Sequence, residues 1–164
     1  GMAMRDPRQR GLFAAAWITG YLARLAPFGV ERFASGAPTG PFGLISSRQD
    51  YPRPVWDDLP EGAVYPLYHV ARWLSAAAGA PLEDAATEGG VARLIWRKDG
   101  RRRALIANLT LEARPMPALP GLGGAVILDA GTAETLARVT TPVPEAPLPG
   151  RLDAYAVVYA EEAA

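Results

Sequence analysis

The sequence predicts an α+β protein in which two amphipathic helices pack on a C-terminal antiparallel β-sandwich. Before residue 82, apolar residues recur at three- and four-residue intervals, which is typical of one face of a helix. After residue 82, short β-rich runs are separated by turn residues, as in a sandwich. We therefore expect two domains: a helical segment with a long Gly/Pro/aromatic loop at 1–81, and the sandwich at 82–164.

The first predicted helix spans residues 12–26. Pro27 and Gly29 end it, since neither residue favours continuation of a helix. Residues 30–35 then alternate apolar and polar and predict a short, half-buried strand, and 36–43 form a Gly/Pro-rich turn. The expected buried face of the helix consists of Leu12, Ala15, Ala16, Ile18, Tyr21, Leu22 and Leu25.

A second helix begins at Pro66 and ends at Gly79, with Pro in the first turn and Gly just past the end. Its apolar face contains Leu67, Val70 and Leu74. The segment from Ser46 to Gly62 that precedes it is polar and irregular. Loops of this length are usually functional or disordered.

Seven or eight strands are predicted after residue 82. The sequence Lys98-Asp99-Gly100 predicts a hairpin turn, because Asp-Gly favours the tight turns of hairpins. The glycine-rich run 121–124 is not followed by Lys-Ser/Thr or a helix pattern, and we expect it to be a turn between strands. The predicted strands are Val91–Trp96, Ala104–Leu109, Ala125–Leu128 and Ala154–Ala160, with Glu112–Pro115 and Glu134–Val139 as further candidates.

Composition excludes several classes of function. The charges balance, with 17 basic and 17 acidic residues, so no overall field attracts nucleic acid or an anionic membrane. The chain contains no cysteine and one histidine, His69, which removes disulfides, thiolate metal sites and cysteine nucleophiles. No apolar run is long enough to cross a bilayer. We expect no cofactor, no metal, no nucleic-acid or membrane partner, and a cytoplasmic location.

The order of these elements resembles the end of a glycoside-hydrolase-type (β/α)8 barrel with an appended β-sandwich. Residues 14–36 resemble the seventh helix and eighth strand, 39–45 the following loop, and 65–81 the last helix. Residues 89–110 resemble the first sandwich hairpin, and 151–160 the last sandwich strand. Within this group the chain is similar to the C-terminal part of D-apionate lactonase-like proteins.

The resemblance implies that the catalytic carboxylates are missing from this chain. In such barrels they lie at the ends of the fourth and seventh strands, and the matched segments begin after the seventh strand. Gly1 before Met2 has the form of a residue left by tag removal, so we expect the encoded chain to begin at Met2. No catalytic residue is carried over.

The best candidates for contact with a sugar or sugar acid are Arg48, Asp50, Tyr51 and Trp56. Aromatic rings pack on the apolar face of a sugar ring, while Arg and Asp hydrogen-bond its hydroxyl groups. Loops that follow barrel strands face the active site. The alternative is that Trp56 fills the junction between the helices and the sandwich.

Three other groups are better explained by structure than by chemistry. Asp57-Asp58 is expected to be a solvated loop, since adjacent carboxylates rarely flank a bound sugar. His69 is expected to be a hydrogen-bonded structural residue. The basic residues at 97–103 are expected to form a solvated hairpin tip whose charges discourage edge pairing.

Two functions remain open. In the first, the chain is a non-catalytic accessory part of a carbohydrate-active enzyme. In the second, it is a stand-alone sugar- or protein-binding module that uses the 48–58 loop. An exposed apolar side of the first helix is expected to promote self-association.

Overall fold

The computed structural model describes residues 7–40, 42–48 and 59–162. Three helices lie in these ranges: α1 at Leu12–Leu25, α2 at Pro66–Ala76 and the short α3 at Ala133–Leu136. Eight strands follow α2, so the α+β prediction is confirmed. They are β1 Leu82–Glu88, β2 Val91–Lys98, β3 Arg101–Asn108, β4 Arg114–Pro115, β5 Leu122–Leu128, β6 Ala146–Pro147, β7 Arg151–Leu152 and β8 Val157–Glu162.

The strands form two antiparallel sheets. Six strands make the large sheet in the order β1-β2-β3-β8-β5-β6, and β4 pairs with β7 in a small sheet. The β2–β3 hairpin turns at Asp99 and Gly100, with φ of 53° and 76°. Two successive positive φ angles are the hairpin-turn geometry that the Asp-Gly pair predicts.

The large sheet is buried on both faces. One face, with Leu94, Leu105 and Tyr159, packs against α1 and α2. The other, with Ile95, Ile106 and Val158, packs against the second core, which includes Leu119 and Leu152. Because both faces are covered, β3 is a continuous buried apolar run rather than an alternating one.

Helix α1 packs against both α2 and the large sheet, and its small residues allow close packing. Ala14, Ala15 and Ala16 are buried. A Cβ atom added to Gly20 would lie 2.8 Å from the Leu109 methyl carbons, so a larger residue here would require the Leu109 side chain to shift. The buried Thr19 hydroxyl donates to the Ala15 carbonyl at 2.9 Å, which satisfies its polar group inside the core.

Three predicted local structures are wrong. Residues 30–35 form no strand, and within the described ranges they pair with none of the eight strands. Glu134–Val139 is not a strand: Asp129 and Thr132 form a hydrogen-bonded turn that leads into α3. The 121–124 run is a turn only at Gly121, since β5 begins at Leu122 and contains the next two glycines.

None of the helices within the described ranges is long and apolar enough to cross a membrane.

Candidate functional site

The predicted sugar-contact loop is described only at its base. Asp50, Tyr51 and Trp56 lie outside the described residues, as does Asp57-Asp58, and Arg48 is exposed. The structure therefore leaves open the prediction of a sugar contact and the alternative that Trp56 fills the junction.

Backbone hydrogen bonds hold the two ends of this loop together. The Ser46 N–H donates to the Ala63 carbonyl at 2.7 Å, and the Gly62 N–H donates to the Ser46 carbonyl at 2.8 Å. The Ser46 hydroxyl donates to the Leu59 carbonyl at 3.3 Å. Ser46 thus lies next to Leu59, Gly62 and Ala63, the described residues that follow the loop.

His69 is buried on α2, with 1% of its surface exposed. Its Nε2 lies 3.1 Å from the Leu136 carbonyl oxygen, so Nε2 carries the hydrogen and donates it. Burial lowers the pKa of His69, and the hydrogen bond to the Leu136 carbonyl offsets this lowering only in part. The neutral imidazole joins α2 to the end of α3.

Most of the basic residues at 97–103 are paired within the protein. Glu83 accepts from Arg97 Nε at 2.9 Å and from Arg102 Nε at 2.7 Å. The bond from Arg102 holds the pKa of Glu83 below its usual range. Lys98 Nζ donates to the Ala76 and Ala78 carbonyls at 2.7 and 3.1 Å, where a cation is favourable at the C-terminal end of α2.

A further pair joins two strands of the large sheet. Arg103 Nε donates to Glu161 Oε1 at 3.0 Å, and the Tyr159 hydroxyl donates to the same carboxylate. Burial raises the pKa of Tyr159. With these partners, the basic run is a set of cross-strand ion pairs as well as a hairpin tip.

The other carboxylates on the strands also face arginines. Arg93 binds Asp84 and, at 3.0 Å, Glu88. Within the described ranges, no three His, Asp or Glu side chains form a group that could hold a metal ion. Because guanidinium groups occupy these carboxylates, the arrangement does not favour their use as general acids.

An aromatic stack joins the helices to the sheet. The Trp73 ring on α2 lies parallel to the Tyr159 ring on β8, with an interplanar angle of 4° and centroids 4.9 Å apart. The ring of Trp96 on β2 is tilted by 40° to that of Tyr159, with centroids 6.2 Å apart. All three side chains are buried, so this stack fastens α2 to the middle of the large sheet.

Two concave surfaces flank α1. The larger is a groove of 710 Å³ between residues 29–35 and the end of α2, with Leu94 and Trp96 at its base. The smaller, a cavity of 210 Å³, lies where α1 meets the end of β3. We call the smaller one the aromatic cleft; it is lined chiefly by Phe13, Trp17, Tyr21, Arg24 and Tyr155.

The sequence pattern does not predict the aromatic cleft. It predicts Tyr21 on the buried face of the helix, but Tyr21 is 41% exposed, and Trp17 is 52% exposed. The rings of these two residues are parallel within 10°, with centroids 5.2 Å apart. The spacing of Phe13, Trp17 and Tyr21 at four-residue intervals is the signal that places three aromatic rings on one stripe.

Two family models match adjacent parts of the sequence. The model of the D-apionate lactonase TIM barrel domain matches residues 1–79. The model of the D-apionate lactonase C-terminal immunoglobulin-like domain matches residues 88–160. The chain belongs to the D-apionate lactonase family. The predicted resemblance to this family, and to a barrel with an appended sandwich, is confirmed.

A solved glycoside hydrolase structure has a similar fold. The glycoside hydrolase family 30 subfamily 8 xylanase Xyn30A from Clostridium acetobutylicum is 12% identical, with a TM-score of 0.55 over 94% of this chain. A GH30 endoxylanase from Clostridium papyrosolvens C71 is 14% identical, with a TM-score of 0.42 over 63% of this chain. The chain spans 40% and 29% of these two xylanases, respectively. No curated protein sequence matches the chain.

Proposed function

We propose that this chain is a non-catalytic C-terminal part of a carbohydrate-active enzyme of the lactonase or glycoside-hydrolase type. In this role the sandwich supports the last helices of a (β/α)8 barrel, and the barrel provides the catalytic groups. The aromatic stack of Trp73, Tyr159 and Trp96 supports the proposal most directly. It fixes a helix matched by the barrel model to a sheet matched by the immunoglobulin-like model.

The acidic side chains give further support. A glycosidase site needs two carboxyl groups facing each other across a bound sugar, one of them able to hold a proton. In the described part of the chain, the carboxylates of Glu83, Asp84 and Glu161 are instead paired with arginines on the large sheet. Those ion pairs link strands of the large sheet, and we do not expect these carboxylates to take part in proton transfer.

The proposal is tested by measuring turnover with the purified chain alone. We expect no hydrolysis of an aldonolactone or an aryl glycoside above the rate in buffer. Saturable hydrolysis that is lost when Asp57 and Asp58 are both changed to Asn would show that the chain is an enzyme and would contradict the proposal.

The 48–58 loop provides the second candidate function. The hydrogen bonds between Ser46 and Ala63, on either side of this segment, support this candidate. A screen of sugars and sugar acids against the chain and its Trp56→Ala variant tests this candidate. Saturable binding that the variant loses would favour a stand-alone binding module over an accessory part.

A further inference from the structure

We propose that residues 30–34 are a docking edge for the other strands of a (β/α)8 barrel, and that the chain binds a separate polypeptide that carries those strands. The inference rests on the proposed accessory role and deepens it, because it names the partner and the surface that the partner covers. The docking edge lies outside the 48–58 loop.

The backbone of the docking edge is unpaired within the described part of the chain. No backbone N–H or carbonyl of residues 30–34 is hydrogen-bonded to another described residue, and neither sheet includes them. All five residues are exposed. A row of unpaired N–H and C=O groups on an exposed segment is a template for the addition of a strand. The docking edge therefore has the groups that a neighbouring strand would bind.

Exposed aromatic rings continue from α1 onto the docking edge. The rings of Trp17 and Tyr21 are stacked with centroids 5.2 Å apart, and the Phe33 ring lies 5.9 Å from that of Tyr21. Their exposed fractions are 52%, 41% and 39%, which correspond to roughly 250 Å² of apolar surface if a whole aromatic side chain has ~200 Å². A stable interface takes about 800 Å² from each partner, so the three rings supply about a third of one side.

A groove beside the docking edge extends this surface. It has a volume of 710 Å³ and lies between residues 29–35 and the C-terminal end of α2. Its lining includes Leu74, Leu82 and Leu94 as well as Phe33. Because Phe33 belongs to the docking edge, to the row of rings and to the groove, the three form one continuous surface that a single partner can cover.

The family and fold matches support barrel strands as the occupant. Residues 1–79 match the model of a TIM barrel domain, and such a barrel consists of eight parallel strands, each followed by a helix. In the described part of residues 1–79, the chain contains α1 and α2 but no β-strand. The match to Xyn30A covers 94% of this chain but only 40% of Xyn30A. The exposed side of the helical segment is thus where the remaining β/α units of a barrel would pack.

A second copy of the chain fits this surface less well. Two copies bring together only two docking edges, and a two-stranded ribbon neither closes a barrel nor forms a stable sheet by itself. A polypeptide with the other β/α units offers the docking edge a strand on each side, as for every strand of a closed barrel.

The test is binding of a defined probe to the full chain, measured by sedimentation velocity at micromolar concentration. The probe is the part of a D-apionate lactonase TIM barrel that precedes the region matched by residues 1–79, produced as a separate polypeptide. We expect a one-to-one complex. The C-terminal part of the same lactonase is the positive control, since a folded probe must bind it.

Arg32→Pro should weaken the complex at least about ten-fold, because proline removes one N–H donor from the docking edge. Arg32→Ala is the matched control: it removes the same side chain, keeps the N–H and should bind like the unchanged chain. Arg32 is exposed, so both variants should keep the melting temperature, which separates loss of binding from loss of folding. Phe33→Glu should also weaken the complex, whereas Val143→Glu, at a 65% exposed position of the sandwich, should not.

Hydrogen exchange at residues 31–34 gives a second measurement. In the chain alone we expect these amides to exchange as in an unstructured peptide, because they are exposed and unpaired. In the complex they should exchange at least about 100-fold more slowly. The same protection is expected in a single polypeptide in which the probe precedes the chain, and this fusion decides the question if the separate probe does not fold.

Three results would overturn the inference. The first is a probe that binds the C-terminal part of its own lactonase but not this chain. The second is fast exchange at residues 31–34 in the fusion. The third is a dimer of the unchanged chain that Arg32→Pro dissociates, which assigns the docking edge to a second copy. Turnover by the chain alone, by contrast, would contradict the proposed non-catalytic role and leave the docking edge unaffected.

Discussion

Asn108 shows how a single buried polar residue organises the end of the large sheet. Its side chain is fully buried, and its Nδ2 donates to the carbonyls of Glu112, Leu152 and Asp153 at 2.7, 3.2 and 2.8 Å. Its Oδ1 accepts from the Thr110 N–H at 2.9 Å. The amide therefore ties β3 both to the loop that follows it and to the end of β7.

The substitution Asn108→Asp tests this role, because the shape is kept while the donors are lost. The carboxylate oxygen that replaces Nδ2 faces three carbonyl oxygens and has no hydrogen to donate to them, so we expect the free energy of unfolding to fall by about 2–4 kcal/mol. Urea denaturation followed by circular dichroism measures it. Glu134→Gln, at an exposed position, is the control and should change stability little; a similarly small change for Asn108→Asp would contradict the assigned role.

His69 makes the stability of the folded protein depend on pH, and the burial of His69 sets the direction of this dependence. Its pKa in the folded state lies below the ordinary value of 6.5, so the unfolded chain binds the proton more readily. The stability that comes from neutral His69 is fully present above pH 6.5 and is lost as pH falls below that value.

The measurement is the free energy of unfolding at pH 7.5 and pH 5 for the unchanged chain and for His69→Gln, which has no titrating group. We expect the unchanged chain to lose more stability than the variant between these two pH values. An equal loss in both proteins would show that His69 does not contribute to the pH dependence.

At the scale of the elements, the β2–β3 hairpin depends on its turn. Gly100 has φ of 76°, which costs a residue with a Cβ atom about 1–2 kcal/mol. Gly100→Ala is therefore expected to destabilise the protein by about 1 kcal/mol. Gly150 does not have a positive φ, and a Cβ added there meets nothing within 4 Å. Gly150→Ala is thus a matched control that should be neutral in thermal unfolding, and equal effects at the two glycines would contradict this account.

The elements with strong local signals could be predicted from the sequence. Helices α1 and α2 have apolar periodicity and end at Pro or Gly, and β2 and β3 have apolar runs joined by Asp-Gly. Strand β1 was missed because LEDAATE contains residues that are uncommon in strands. It forms because β2 offers a pairing edge and because Arg93 and Arg97 bind its carboxylates. These are tertiary effects that a local pattern does not contain.

The site was less predictable than the fold. Helix α1 packs against both α2 and the large sheet, so most of its surface is buried. Its apolar pattern therefore does not show which residues stay exposed. The Ala and Leu residues expected to promote self-association are largely covered by α2 and the large sheet. Self-association stays a prediction.

At the scale of the whole molecule, the proposed supporting role of the sandwich requires that the helical segment and the sandwich form one folding unit. A single core contains residues of α1, α2 and four strands of the large sheet, including Leu22, Leu67, Leu105 and Val157. The Trp73–Tyr159 stack lies within it. An accessory sandwich that braces barrel helices must share such a core, since separate cores would let the two parts open independently.

Native-state hydrogen exchange tests this requirement most directly. We expect the same free energy of opening for the slowest-exchanging amides of α2 and of β3. These amides are at Val70 and Trp73 in α2, and at Leu105 and Ile106 in β3. We also expect Trp73→Ala to lower both values together, by about 3–5 kcal/mol. Exchange of the α2 amides at a free energy well below that of β3 in the unchanged chain would contradict the single unit and, with it, the proposed supporting role of the sandwich.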